Sequence, residues 1–453
     1  MSQDVVSPGE SGDIFATIES GTPRGNFDAH HPPEQELIDD CVHCGFCLPT
    51  CPTYSLWGEE MDSPRGRIYL MDLVGQGAAS LDDTVVRHFD TCLGCMACVT
   101  ACPSGVQYDN LLESMRPQIE RQHPRTWRDR VFRRAIFALF PYPRRLRVAA
   151  LGGIAYQRSG LARLVRRSRL FARLPARLRA AESLLPPVTL RDLATRPPER
   201  VAAVGTPRMK VAVLTGCVQR VFFSGVNAAT VRVLAAEGCE VLIPRDQACC
   251  GALSMHTGRE PEALDRARRA IAVFEAYDVD AIVVNVAGCG STMKDYGTLL
   301  RHDQAWADRA AAFAAKVRDV TEVLADLEPQ ATRHPIDARV AYHDACHLGH
   351  AQGVRAQPRA VLNAIPHLDV VDIPDAEICC GSAGVFNLLE PEAAEELGRR
   401  KVDNVRAVMP DAIATANPGC LLQIRRHLGT DPLPLMHPVE LVDASIRGRG
   451  LTG

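Results

Sequence analysis

The sequence predicts an α + α/β protein: a mainly helical N-terminal module, a basic helical linker and a duplicated α/β half. Three observations carry this reading. The 17 cysteines of the 453-residue chain fall as eight between Cys41 and Cys102, none between Pro103 and Gly216, and nine between Cys217 and Cys420. Cys217, Cys249, Cys250 and Cys289 recur as Cys346, Cys379, Cys380 and Cys420 at offsets of 129, 130, 130 and 131 residues, the mark of a duplicated unit. Short β-branched runs alternate with Ala-rich stretches in that second half, which is the pattern of parallel βαβ units. The expected divisions are a disordered tail over 1–30, a cysteine-rich module over 31–115, the linker over 116–205, and two repeated units over 206–330 and 331–453.

In chain order, Ser63–Gly75 reads as a helix, with Ser63 as cap, Pro64 at the first helical position and Gly75 as stop. Lys210–Thr215, Glu240–Ile243 and Ala281–Val286 read as buried strands of the first repeated unit. Pro261–Tyr277 and Gln304–Leu327 read as its helices. The second unit repeats the strands at Arg339–His343, Val370–Ile373 and Ala412–Ala416.

Hydrophobic residues at 46% and charged residues at 23% are ordinary for a globular chain and exclude a disordered or fibrous one. No apolar run reaches the roughly 18–20 residues of a transmembrane helix. Met1–Asn26 lacks a basic region followed by an apolar stretch, so the expected compartment is the reducing cytoplasm, where thiols seldom persist as disulfides. Metal binding is therefore the leading role for the cysteines. Net charge is −3, yet the stretch 116–180 holds 18 Arg against Glu120 and Asp129. One basic block sits in an otherwise acidic chain.

Cys41-x-x-Cys44-x-x-Cys47-x-x-x-Cys51-Pro52 recurs 51 residues later as Cys92-x-x-Cys95-x-x-Cys98-x-x-x-Cys102-Pro103. Both match the bacterial iron–sulfur run, whose fourth cysteine ligates the other cluster. The spacing therefore assigns Cys41, Cys44, Cys47 and Cys102 to one [4Fe–4S] cluster, and Cys92, Cys95, Cys98 and Cys51 to a second. This makes 31–115 a two-cluster ferredoxin-type domain. Zinc sites use two C-x-x-C pairs or include histidine, and fit these runs poorly. Glycines Gly45, Gly94 and Gly105 leave room for backbone N–H groups to approach the sulfurs.

The pairs Cys249-Cys250-Gly251 and Cys379-Cys380-Gly381 follow predicted strands, as do Cys217, Cys289, Cys346 and Cys420, so all eight can converge on one sheet edge. Cys239 falls outside the repeat and reads as a small buried hydrophobe. The segments CCGALSMHTG (Cys249–Gly258) and ICCGSAGVFN (Ile378–Asn387) resemble the cysteine-rich CCG domains of heterodisulfide reductase and its relatives. Joined to the two ferredoxin runs, they resemble the iron–sulfur subunits of glycolate oxidase (glycolate dehydrogenase). That resemblance implies an oxidoreductase subunit relaying electrons from an FAD-containing partner, which oxidises glycolate to glyoxylate, to a quinone or other acceptor. Subunits of lactate dehydrogenases, anaerobic glycerol-3-phosphate dehydrogenases and heterodisulfide-reductase-like complexes are the neighbouring alternatives. In heterodisulfide reductase similar motifs end in C-x-x-C; here Thr292 and Gln423 hold the last positions. The CCG cysteines thus stand either as ligands of a further cluster or as structural thiols.

His256, His343 and His347 near these cysteines can serve as ligands or proton carriers, but nothing in their spacing forces convergence, and a structural role weighs more. In the linker, Leu161, Leu164, Val165 and Phe171 fall at helical spacing among Arg163, Arg166, Arg167, Arg169 and Arg173, with Trp127, Phe132, Phe137, Phe140 and Tyr142 upstream. Packing or partner docking is the first reading. Peripheral contact with the cytoplasmic face of the inner membrane is the second. No nucleic-acid motif accompanies the arginines, so no nucleic-acid partner is expected; an iron–sulfur redox sensor is the reading outside enzymology. The chain shows neither a P-loop nor a strand–GxGxxG–helix fingerprint. No catalytic residue is therefore assigned, and the two-electron cofactor is expected on another polypeptide.

Overall fold

The computed structural model describes residues 23–168, 171, 173–429 and 432–451. Most of the expected tail (residues 1–22) and Arg169 of the linker lie outside the described residues.

The N-terminal module is helical because its apolar residues recur at helical spacing and its helix starts are capped. Ser63 Oγ accepts from Gly66 N at 3.0 Å to open the helix Pro64–Gly75, and Asp82 caps Asp83–Asp90. These helices and Tyr108–Gln122 bury Met71, Val74, Phe89, Leu111, Leu112 and Met115 in one core. The end of the segment expected as a tail belongs to this module. Phe27 is buried, and the Asp28 carboxylate accepts from Arg121 at 2.7 and 2.9 Å. An aromatic anchor and a two-pronged ion pair hold residues 23–30 in place, which polar composition alone did not reveal.

The second half contains two sheets. In the first, β1 (Arg200–Val201), β2 (Met209–Leu214), β3 (Cys239–Leu242), β4 (Ala281–Val284) and β5 (Val317–Asp319) lie in the order β1-β3-β2-β4-β5. All pairs are parallel except β1 with β3. In the second, β6 (Ala338–Tyr342), β7 (Leu368–Asp372), β8 (Ala412–Ala414) and β9 (Leu435–Met436) lie in the order β7-β6-β8-β9, all parallel. The continuous helix expected over Gln304–Leu327 is instead two helices, Ala307–Lys316 and Val320–Asp326, separated by β5. Val317 pairs with Ile282 at the sheet edge, and Asp319 starts a new helix through a capping box with Glu322.

The two units share one core. Val211, Val213 and Val241 of the first pack with Val340, Tyr342 and Ala414 of the second. The packing is reciprocal: Ser224–Ala236, an early helix of the first unit, lies on Pro438–Ile446, the last helix of the second. Val320–Asp326, the last helix of the first unit, lies on Ala356–Asn363, the early helix of the second. Cys239 starts β3 inside this core, fully buried and remote from the other cysteines' edge.

The basic linker packs inward. Ile136 and Phe137 of helix Trp127–Leu139 meet Val385 and Leu388, and Leu146 of helix Pro143–Arg158 meets Val221. Several arginines are absorbed locally: Arg177 donates to Asp129 at 2.7 Å and to the Leu389 carbonyl at 3.0 Å, while Arg166 pairs with Glu182 at 2.8 Å. Leu161 and Leu164 nevertheless remain exposed. No helix among the described residues is long and apolar enough to cross a membrane.

Candidate iron–sulfur centres

The first cysteine run forms an exposed loop. Cys44 is exposed, Cys41 and Cys47 are half-buried, and Val42 and Phe46 beside them are 69% and 67% exposed. Cys102, from the end of the second run, joins Cys41, Cys44 and Cys47 around one small hollow. Its charge acts on Cys41, whose thiol is pushed up first by burial and further by Cys102 and Cys44. Burial likewise pushes Cys47 up to about 11.

Cys92, Cys95 and Cys98 are buried, and Cys51 is buried with them. Burial raises Cys98, and the charges of Cys95, Cys92 and Cys51 raise it further. The fourth cysteine of each run therefore lies among the first three of the other. Burial opposes the Cys92 thiolate, yet Arg67 and Arg116 outweigh it and hold this thiol below its ordinary value. Arg67 is itself 1% exposed, donating to Thr53 at 3.1 Å and Asp62 at 3.4 Å, with its Nη1 4.0 Å from Cys51 Sγ. Gly94 N donates to Cys92 Sγ at 3.4 Å, as the glycine-rich loop allows. Gathered thiols without disulfides, close to cationic groups, are a donor set that fits four-iron clusters.

The CCG cysteines converge because each follows the carboxyl end of a parallel strand. All but Cys380 line one cavity of about 420 Å³ between the units. The linker helices close its outer side with Phe132, Ile136, Ala150 and Ile154. In each unit the glycine after the pair has a left-handed backbone (Gly251 φ 87, Gly381 φ 85), which lets the chain turn sharply under the thiols. Gly251 N donates to Cys249 Sγ at 3.5 Å. Cys346 and Cys379 place their sulfurs 4.0 Å apart. A hydrogen bond from Cys346 and then one from Cys380 lower Cys379 well below its ordinary value.

The histidines, for which spacing favoured a structural role, sit at this centre. The rings of His256 and His347, one from each unit, lie 4.8 Å apart and tilted by 51°, and both Nε2 atoms are buried without a partner among the described residues. Burial drives His347 down to about 4. His343 lies with Cys380 and Cys420, its donor atom and their sulfurs all within 4.8 Å of one another.

The two cysteine systems are contiguous. Cys95 packs in one apolar cluster with Leu93, Cys379 and Phe386. Its thiol is raised well above its ordinary value first by burial and next by the charge of Cys379. Gly258 seals a second junction: a Cβ there would stand 2.4 Å from the Arg116 carbonyl oxygen, so the first unit touches helix Tyr108–Gln122 directly.

Cysteine loops paired with thiol-lined α/β units define an iron–sulfur electron-transfer protein. Residues 37–106 match the 4Fe-4S dicluster domain, 128–185 the linker region of the glycolate oxidase iron–sulfur subunit, and 211–294 with 340–425 the cysteine-rich domain. The chain is 39% identical over 427 residues to the probable glycolate oxidase iron–sulfur subunit of Bacillus subtilis (strain 168), covering 92% of this chain and 95% of the relative. It is 35% identical over 416 residues to the glycolate oxidase iron–sulfur subunit of Escherichia coli (strain K12), covering 90% and 94%. Lactate utilization protein A of an Exiguobacterium species is 31% identical over 240 residues, 52% of this chain and 98% of that one. The chain belongs to the glycolate oxidase iron–sulfur subunit family, and so to an oxidoreductase complex.

Proposed function

We propose that the chain takes electrons from a flavoprotein subunit that oxidises glycolate to glyoxylate, and delivers them to a quinone. The observation that carries this reading is the placing of Cys95 and Cys379 in one buried cluster, which brings the second ferredoxin run against the CCG units. Cys41, Cys44, Cys47 and Cys102 hold one [4Fe–4S] cluster; Cys51, Cys92, Cys95 and Cys98 hold the second. Cys217, Cys249, Cys250 and Cys289, with Cys346, Cys379, Cys380 and Cys420, hold further iron–sulfur. Such clusters supply reversible storage of single electrons.

The residues around them do the rest. Val42 and Phe46 offer the flavoprotein an apolar landing beside Cys44. The apolar wall formed by Phe132, Ile136, Ala150 and Ile154 suits a quinone ring and excludes water from the thiols. Exposed Val148, Leu151, Leu161 and Leu164 on arginine-rich helices support peripheral attachment to an anionic membrane face in the cytoplasm, where a lipid-soluble acceptor resides.

The test is anaerobic purification of the tagged chain with its partners, followed by addition of glycolate. Retention of a flavoprotein and bleaching of the visible iron–sulfur absorption by glycolate, but not by lactate, are expected. Absence of both would overturn the reading. Ala150→Phe, which fills the cavity, is expected to slow reduction of a short-chain quinone while leaving reduction of ferricyanide intact.

A further inference from the structure

The two CCG units are not equivalent. Counting back three residues from the first cysteine of each gives Leu214 in one and His343 in the other. Both side chains are at least 98% buried; Leu214 is the last residue of β2 and His343 directly follows β6, each an inner strand of its sheet. Leu214 is packed among the apolar residues of its unit, including Ala212, Ile282 and Val284. His343 has no such apolar use: both ring nitrogens are buried, and the polar groups its ring faces are the thiols of Cys380 and Cys420. A thiol is a weak hydrogen-bonding partner, so the buried imidazole recovers little of the hydration it loses. An imidazole nitrogen and two thiol sulfurs gathered in this way form a metal-ligating set, the sulfurs of Cys380 and Cys420 lying within 4.8 Å of the His343 donor atom.

We infer that His343 is a metal ligand, so that the iron–sulfur centre of the second CCG unit has mixed sulfur and nitrogen ligation while that of the first is ligated by sulfur alone. This rests on the reading that the CCG cysteines hold iron–sulfur. In the second unit His343 stands with Cys380 and Cys420 in one close donor group; at the matching position the first unit sets Leu214. The second unit is also the one that Cys95 reaches from the ferredoxin side. Nitrogen in place of thiolate sulfur raises a cluster's reduction potential. The mixed centre thus sits where electrons leave the ferredoxin module, and draws them inward.

The test uses the full chain grown with 15N-histidine, reduced stepwise and followed by electron–nuclear double resonance, with iron, zinc and labile sulfide counted on the same samples. Wild-type protein is expected to hold more than the roughly eight irons of two four-iron clusters, and to show a directly bonded histidine nitrogen. His343→Leu, which copies the residue of the sister site, is expected to lose that coupling. His343→Cys is expected to keep the iron, lose the coupling and move the midpoint of that signal downward. Iron at about eight per chain, with or without zinc, would overturn both this inference and the reading of CCG clusters. Iron above eight with no histidine coupling, with one that persists in His343→Leu, or with one as weak as a hydrogen bond to sulfur, would overturn the His343 assignment alone.

Discussion

Thr100 and His350 stand 250 positions apart in sequence, and the Thr100 hydroxyl lies 2.7 Å from His350 Nδ1. Arg355 donates to the same nitrogen at 2.8 Å, so Nδ1 is an acceptor and the hydroxyl is a donor. His350 Nε2 is then left to donate to the Glu377 carbonyl at 3.2 Å. Thr100 follows Cys98 by two residues and His350 follows Cys346 by four, so this bond ties a ferredoxin loop to the second CCG unit. Thr100→Val keeps the shape and removes the donor. It is expected to cost about 1 kcal/mol in denaturant unfolding of the cluster-loaded chain.

Arg67 lies between Asp62 and the thiols of Cys51 and Cys92, almost entirely out of water. Arg67→Met leaves the Asp62 carboxylate buried with only Thr91, His88 and neutral neighbours. Loss of one partner from such a pair is expected to destabilise the chain by about 3–5 kcal/mol. Removing a cation beside Cys51 also disfavours the reduced, more negative state, so the midpoint of the adjacent cluster is expected to fall in an EPR-monitored redox titration.

The crossing of the two cysteine runs makes an unusual pattern of losses. Cys102→Ser is expected to remove the same EPR signal as Cys41→Ser, although Cys102 belongs to the other run. Cys51→Ser is expected to match Cys95→Ser. If each fourth cysteine instead grouped with its own run, the four spectra would sort the other way.

Glu113 is pushed up to about 8, first by burial and then by Asp295 and Asp109. Its ordinary value is 4.5. Between these two values the folded chain keeps a proton that the unfolded chain has released, so stability falls as pH rises through that window. Glu113→Gln stays neutral throughout. Its unfolding free energy is expected to decline less between about pH 5 and 8, the difference in slope reaching at most about 1.4 kcal/mol per pH unit.

The six β-branched runs of the C-terminal half could be read as strands because buried parallel strands concentrate valine and isoleucine. β5 could not: its three residues sit between Ala-rich helical stretches, and only the edge of β4 selects them. β1 and β9, two residues each, carry too little pattern to read. Convergence of the CCG thiols was legible through the repeat offset, since equal spacing after equivalent strands leads to one edge. The importance of His343 was not, because a single imidazole has the same signature in a core as on a metal. Its contrast with Leu214 at the matching repeat position was the available signal. The inward packing of the linker was hidden for a related reason: amphipathic spacing identifies a face and not its partner, and Arg259 stacked over Phe137 at 4.6 Å is a contact 122 residues distant in the chain.

The reciprocal packing of early helix on last helix is the arrangement of two like subunits about a two-fold axis, in which every contact occurs twice. Here both halves are encoded in tandem, so the requirement that they be identical is lifted. A homodimer specifies both of its sites with one stretch of gene and cannot place a leucine in one and an imidazole in the other. A fused pseudo-dimer keeps the geometry of a symmetric assembly while each half acquires its own chemistry, and direction along the path between them becomes something selection can act on.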